Sequence, residues 1–216
     1  MVARVVVKLA DRAMDIAAEI QSLTKWQRVA LAAMCAQSLS PIVTRLGQAA
    51  TQQTFAIGLE SAWVSAHDCV LDTRALPTRT TLDGLPESAC DDSNVPAYEV
   101  MCALGVLASA IDAAIKTELD RSALDACTGA TAICGGYDYV LTYGNQTRKV
   151  DPQNPPPPGR LESLHVETQL GVIRKMRAAG QVRASGIAEM QALGDRLARE
   201  VANALDAYVK YCGWKM

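Results

Sequence analysis

Phenylalanine occurs once and histidine twice in 216 residues, although half of all residues are hydrophobic. A core without large rings has to be assembled from aliphatic and small side chains, which favours close helix packing over thick sheet layers. Excess charge of one sign is missing too: 21 Lys and Arg face 23 Asp and Glu, a net charge of −2. A general nucleic-acid binder needs a clearly basic face, so nucleic acid is not the expected partner. Long hydrophobic runs are also absent. Val5, Val6 and Val7 stop at Lys8 with no small-residue cleavage site after them, which is too short for a signal-peptide core. The longest apolar stretch, roughly 101–111, is about half of what a membrane span takes. The expectation is a soluble, cytoplasmic chain of one domain, 1–216, with no membrane partner.

Complete chemical motifs are lacking as well. The sequence contains no Gly-x-Ser-x-Gly elbow, no Walker loop and no Rossmann glycine pattern. The seven cysteines (Cys35, Cys69, Cys90, Cys102, Cys127, Cys134, Cys212) include no CxxC pair. Being odd in number and mostly within apolar segments, they read as reduced core residues rather than a disulfide framework. Cys90, among carboxylates, is the one expected at the surface, as a poor nucleophile. Glu162-x-x-His165 has the spacing of a carboxylate-bridged metal site. Such sites need the motif twice, and His67 has no matching Glu, so the pair is expected on an exposed polar helix face. His165-x-Glu167 begins a zinc-deaminase signature whose Pro-Cys-x-x-Cys half is missing. His67-Asp68-Cys69 holds no Cys–His couple, since helical neighbours one and two apart diverge. No catalytic residue, metal or cofactor is therefore assigned. An enzyme centred on Glu162 and His165 remains an alternative, as does a ligand-binding or scaffold protein using Trp26 and Trp63.

What the chain does have is helical periodicity. Leu9, Ala13, Ile16, Ile20 and Leu23 form one stripe, and Thr24 is placed to cap the helix that follows. Pro41 suits the first turn of a short helix. Thr51 or Thr54 starts a long one, with Phe55, Leu59, Ala62, Ala66 and Cys69 on one face. Pro96 opens another, burying Val100, Leu104, Leu107, Ile111 and Ala114. A further helix from about Ser122 is expected to end or bend at Gly135-Gly136. Two helices close the chain, one capped by Gly180 and one from about Ala184 to Tyr211. No repeat of twenty to fifty residues is present. The reading is an all-α, single-domain bundle of roughly seven helices, with loops at about 73–96 and 144–160.

The first of these loops is acidic. The stretch TLDGLPESACDDSNVP, 81–96, carries Asp83, Glu87, Asp91 and Asp92 and no basic residue, and Glu99 follows in the next helix. So long a loop in a compact domain is commonly functional or disordered. Basic residues come in a burst elsewhere, at Arg174, Lys175 and Arg177. Such polarity suits docking of a basic protein through the negative side. The five carboxylates are the expected contact residues.

Two segments carry a resemblance. Lys25-Trp26-Gln27-Arg28-x-Ala30-Leu31-Ala32-Ala33-x-Cys35-Ala36, followed by Gly58-Leu59-Glu60-Ser61-Ala62-Trp63, resembles the opening helices of small all-helical bacterial immunity proteins of polymorphic or contact-delivered toxin systems. It covers about the first third of the chain. What it implies is a cytoplasmic antidote that binds a cognate toxin, with a basic active-site surface, and blocks its active site or substrate path.

Overall fold

The computed structural model describes residues 16–71, 77–116, 121–144, 157–180 and 184–214. After a helical segment at 16–21, eight α-helices follow: α1 (Lys25–Ser38), α2 (Ser40–Leu46), α3 (Ala49–Asp68), α4 (Arg79–Asp83), α5 (Pro96–Ile115), α6 (Ser122–Tyr143), α7 (Arg160–Ala179) and α8 (Ala184–Cys212). A 3-10 turn at Pro86–Ala89 lies between α4 and α5. Every regular element among the described residues is helical, so the protein is all-α.

Local chemistry sets where these helices begin. Thr24 and Gln27 form a reciprocal capping box: the Thr24 hydroxyl accepts from the Gln27 N–H, and Gln27 Oε1 accepts from the Thr24 N–H at 2.8 Å. Pro41 and Pro96 sit in first turns, where a missing N–H costs nothing. Gly180 ends α7 at φ +69°. Two boundaries differ from expectation. The long third helix starts at Ala49, before Thr51, and α6 runs unbroken through Gly135-Gly136 to Tyr143. A helix tolerates interior glycine at a cost of about 1 kcal/mol when the residues around it are packed, here the buried Cys134 and Tyr137. A Cβ at Gly135 would lie 3.0 Å from Glu162 Oε2.

The core is organised around α1. Every residue from Val29 to Ala36 has no exposed surface, and α1 packs against α3, α5, α6, α7 and α8. A helix apolar on all sides has to be central. Four alanines in that run keep its diameter small, so five neighbours can reach it. Gly58 does the same for α3 and α5: a Cβ there would meet Leu107 Cδ2 at 3.1 Å. Gln27 spends its second amide end on the Met176 carbonyl at 2.9 Å, tying the start of α1 to the end of α7.

Two stretches, Lys25–Leu46 and Pro96–Ile115, are long and apolar enough to cross a membrane. Within the fold, 67% and 56% of their apolar windows are buried. Core helices have the same composition.

Overpacking α1 tests the architecture. Ala33→Leu is expected to cost about 1–3 kcal/mol, whereas Ala207→Leu on the exposed face of α8 stays within about 0.5 kcal/mol. Urea unfolding of both variants measures the difference.

Candidate functional site

The acidic stretch is a built platform rather than an open loop. Helix α4 turns Leu82 inward, the chain crosses Gly84, and Leu85 is also buried before the 3-10 turn. Glu87 then points into the protein, with only 3% of its surface exposed. Its carboxylate accepts from the Gln48 N–H at 2.8 Å and the Thr51 hydroxyl at 2.6 Å. It thus caps α3, where a negative charge meets the positive end of the helix dipole. Further along, Asp92 Oδ1 accepts from the Asn94 N–H at 2.9 Å, and the Trp214 indole donates to the Asn94 carbonyl at 3.1 Å. The Glu87 bonds tie the segment to the start of α3, and the Trp214 bond ties it to the residues just after α8.

The five expected contact carboxylates therefore divide. Asp83, Asp91 and Asp92 are exposed, Asp83 pairing with Arg79 at 3.2 Å. Glu87 and Glu99 are buried and cannot touch a partner. The Tyr208 hydroxyl reaches Glu99 at 3.3 Å. Burial raises the Glu99 carboxyl above its usual range, and the Tyr137 and Tyr208 hydroxyls act in the opposite sense. Glu87 and Glu99 are structural. Cys90 is half-buried, and the exposed thiol is Cys69, beyond the end of α3.

Glu162 and His165 also depart from the exposed polar face expected of them. Leu161, His165, Gln169 and Met176 are all buried on α7, one stripe stepping by four, four and seven. His165 has no exposed surface, and neither ring nitrogen has a partner. Burial lowers its pKa to about 4, so the ring is neutral. Gln169 Nε2 donates to the Cys127 carbonyl at 3.2 Å and approaches Cys35 Sγ at 3.6 Å, binding α7 to α6 and α1. The Cys35 and Cys127 sulfurs lie 3.8 Å apart. Glu162 is half-buried beside Cys127, Thr131 and Gln169 around a cavity of about 230 Å³, which His165 does not line. Desolvation raises the Glu162 carboxyl above its usual range, helped by nearby Asp138, while a hydrogen bond from the Gly159 backbone opposes the shift. Among the described residues, no three His, Cys, Asp or Glu side chains gather into a metal-holding group.

His67 Nδ1 lies 2.6 Å from Asp68 Oδ1, so its partner is the neighbouring carboxylate and not Cys69. The two tryptophans considered for a pocket are separate. Trp26 lies beneath the Lys25 ammonium, 4.8 Å from the ring centre. Trp63 forms part of a groove between α3 and α8, where Glu60 and Asp195 also lie. Sequence reasoning missed those two carboxylates. They are 135 positions apart, and nothing local links them.

Compared with protein-family models, curated proteins and solved structures, the chain matches none of them.

Two substitutions test these assignments. His165 has a folded pKa below its unfolded value, so the stability it contributes is present above about pH 6.5 and lost as pH falls through about 4. The loss is about 3 kcal/mol over that window. His165→Leu should remove it and relieve two unpartnered nitrogens. Urea unfolding at pH 7 and pH 4.5 is therefore expected to show a smaller acid loss in the variant than in the wild type. Glu87→Ala should destabilise the fold by about 1–3 kcal/mol by orphaning the Gln48 N–H and Thr51 hydroxyl, whereas Asp91→Asn should not change the melting temperature.

Proposed function

We propose that this chain is a cytoplasmic immunity protein, which binds a basic protein toxin and blocks its active site or substrate path. The observation that supports the reading is the anchoring of the acidic platform. Leu82, Leu85 and Glu87 are buried, while Asp83, Asp91 and Asp92 of the same segment are exposed. A purely solubilising loop needs no such anchor. Charges held in place before binding lose less conformational entropy when a partner arrives. They also act at a distance, with a screening length of about 8 Å at physiological salt.

A toxin that acts on nucleic acid or nucleotides needs cationic groups to hold its anionic substrate, and clustered carboxylates can occupy those groups. Pairs at the rim of such an interface mainly accelerate encounter, whereas a desolvated pair at its centre slows dissociation.

The test asks first whether a reading frame adjacent to the gene encodes a product that stops growth when expressed alone. Co-expression should restore growth. The triple variant Asp83→Asn, Asp91→Asn, Asp92→Asn should associate about tenfold more slowly at low salt, with a shallower salt dependence and an unchanged melting temperature. An unchanged on-rate at low salt would overturn the role of the platform, and failure of the wild type to protect would overturn the function.

A further inference from the structure

Along one flank of α3, α3 and α8 border an open groove of about 870 Å³. Its walls are two helical stripes. On α3 they include Leu59, Glu60, Trp63 and Val64, and on α8 Ile187 and Asp195. The α3 wall runs from Ala56 to Asp68 and the α8 wall from Ala184 to Asp195. At 1.5 Å per residue each wall is about 17 Å long, or three helical turns.

The chemistry of this groove is predominantly acidic. Glu60, Asp68 and Asp195 contribute three carboxylates, His67 Nδ1 contacts Asp68 at 2.6 Å, and no Lys or Arg is among the lining residues described. Between them lies apolar surface, and Val64 remains 43% exposed, as does Ile57 on the same helix. Trp63 Nε1, a donor, and Gln37 Oε1, an acceptor, are buried in the wall without hydrogen-bond partners. Gln37 Nε2 is already engaged by Asp195 and the Gln191 carbonyl. The groove thus combines apolar contact area and acidic edges, over a length that matches a short helix.

We infer that this groove receives an amphipathic helix of about three turns from a protein partner, with apolar residues on the inserted face and Lys or Arg along both flanks. Helices docking in grooves present anchors at i, i+3, i+4 and i+7, a spacing that matches the period of the two walls. The identity of the partner rests on the function proposed above; the chemistry of the docking rests on the groove alone.

A synthetic probe tests it. A fluorescein-labelled 14-residue peptide carries Leu at the anchor spacing and Lys on both flanks; two controls carry the same residues in scrambled order, or Glu in place of Lys. Fluorescence anisotropy at about 150 mM salt should show binding of the patterned peptide in the micromolar range, and at least tenfold weaker binding of both controls. Glu60→Gln with Asp68→Asn and Asp195→Asn should weaken the patterned peptide at least fivefold. So should Val64→Lys, which is placed on exposed surface. The triple variant of the acidic platform should bind within twofold of wild type. No binding, equal binding of the scrambled peptide, or indifference to the groove variants would each overturn the inference. Such a result would leave the platform reading to the on-rate measurement. Peptide binding weakened as much by the platform variant as by the groove variants would overturn the groove as the specific site.

Discussion

The arrangement depends on one helix that has no outside. From Val29 to Ala36, α1 is enclosed on every side, and the helices around it are held in place by how near they can come to its axis. Dense interiors transmit small changes of volume, so the four alanines of that run are as restrictive as large core residues are elsewhere. The single Phe in the chain, Phe55, belongs to α3 and not to the centre. A core of small side chains gains less per residue from burial and compensates by having many close contacts. Polar groups strengthen it at specific points: Gln27 bridges to α7, and Gln169 bridges back to α6 and to the Cys35 thiol of α1.

Much of this was legible from local patterns, because caps and breakers act over three or four residues. Thr24, Pro41, Pro96 and Gly180 mark their helix ends where the sequence implies, and the structure adds Gln27 to the Thr24 cap. What was not legible depends on partners remote in sequence. Gly135-Gly136 looks like a stop, yet the helix passes through, with Cys134 and Tyr137 buried on either side of the pair. His165 and Glu87 are polar by type and buried by position. One has no hydrogen-bond partner, and the other is satisfied by the start of a helix 36 residues earlier. The acidic composition of 81–96 was plain to read, but which carboxylates turn inward depends on remote partners: Gln48 and Thr51 for Glu87, and Tyr208 for Glu99 in the next helix. The groove lies furthest from local reach, since its two walls come from opposite ends of the chain.

The two acidic surfaces are complementary in kind. The platform carries charge on a firm base but little exposed apolar area, which suits encounter. The groove has apolar depth and acidic edges, which suits retention. Glu87 caps the beginning of α3, and Asp68 ends that same helix on the rim of the groove. The two surfaces are thereby held at a fixed separation by a single rod of 20 residues.

The anchoring of the platform has a consequence for how this scaffold can diversify. Its inward positions, Leu82, Leu85 and Glu87, are constrained by packing and capping, while its outward positions, Asp83, Asp91 and Asp92, are exposed, Asp83 pairing with Arg79 and Asp92 bonding to Asn94 within the same segment. Substitutions at the outward positions alter the surface potential without disturbing the helix they overlie. If the platform is the contact surface proposed above, a few point changes there would alter recognition while leaving the anchor and the bundle as they were.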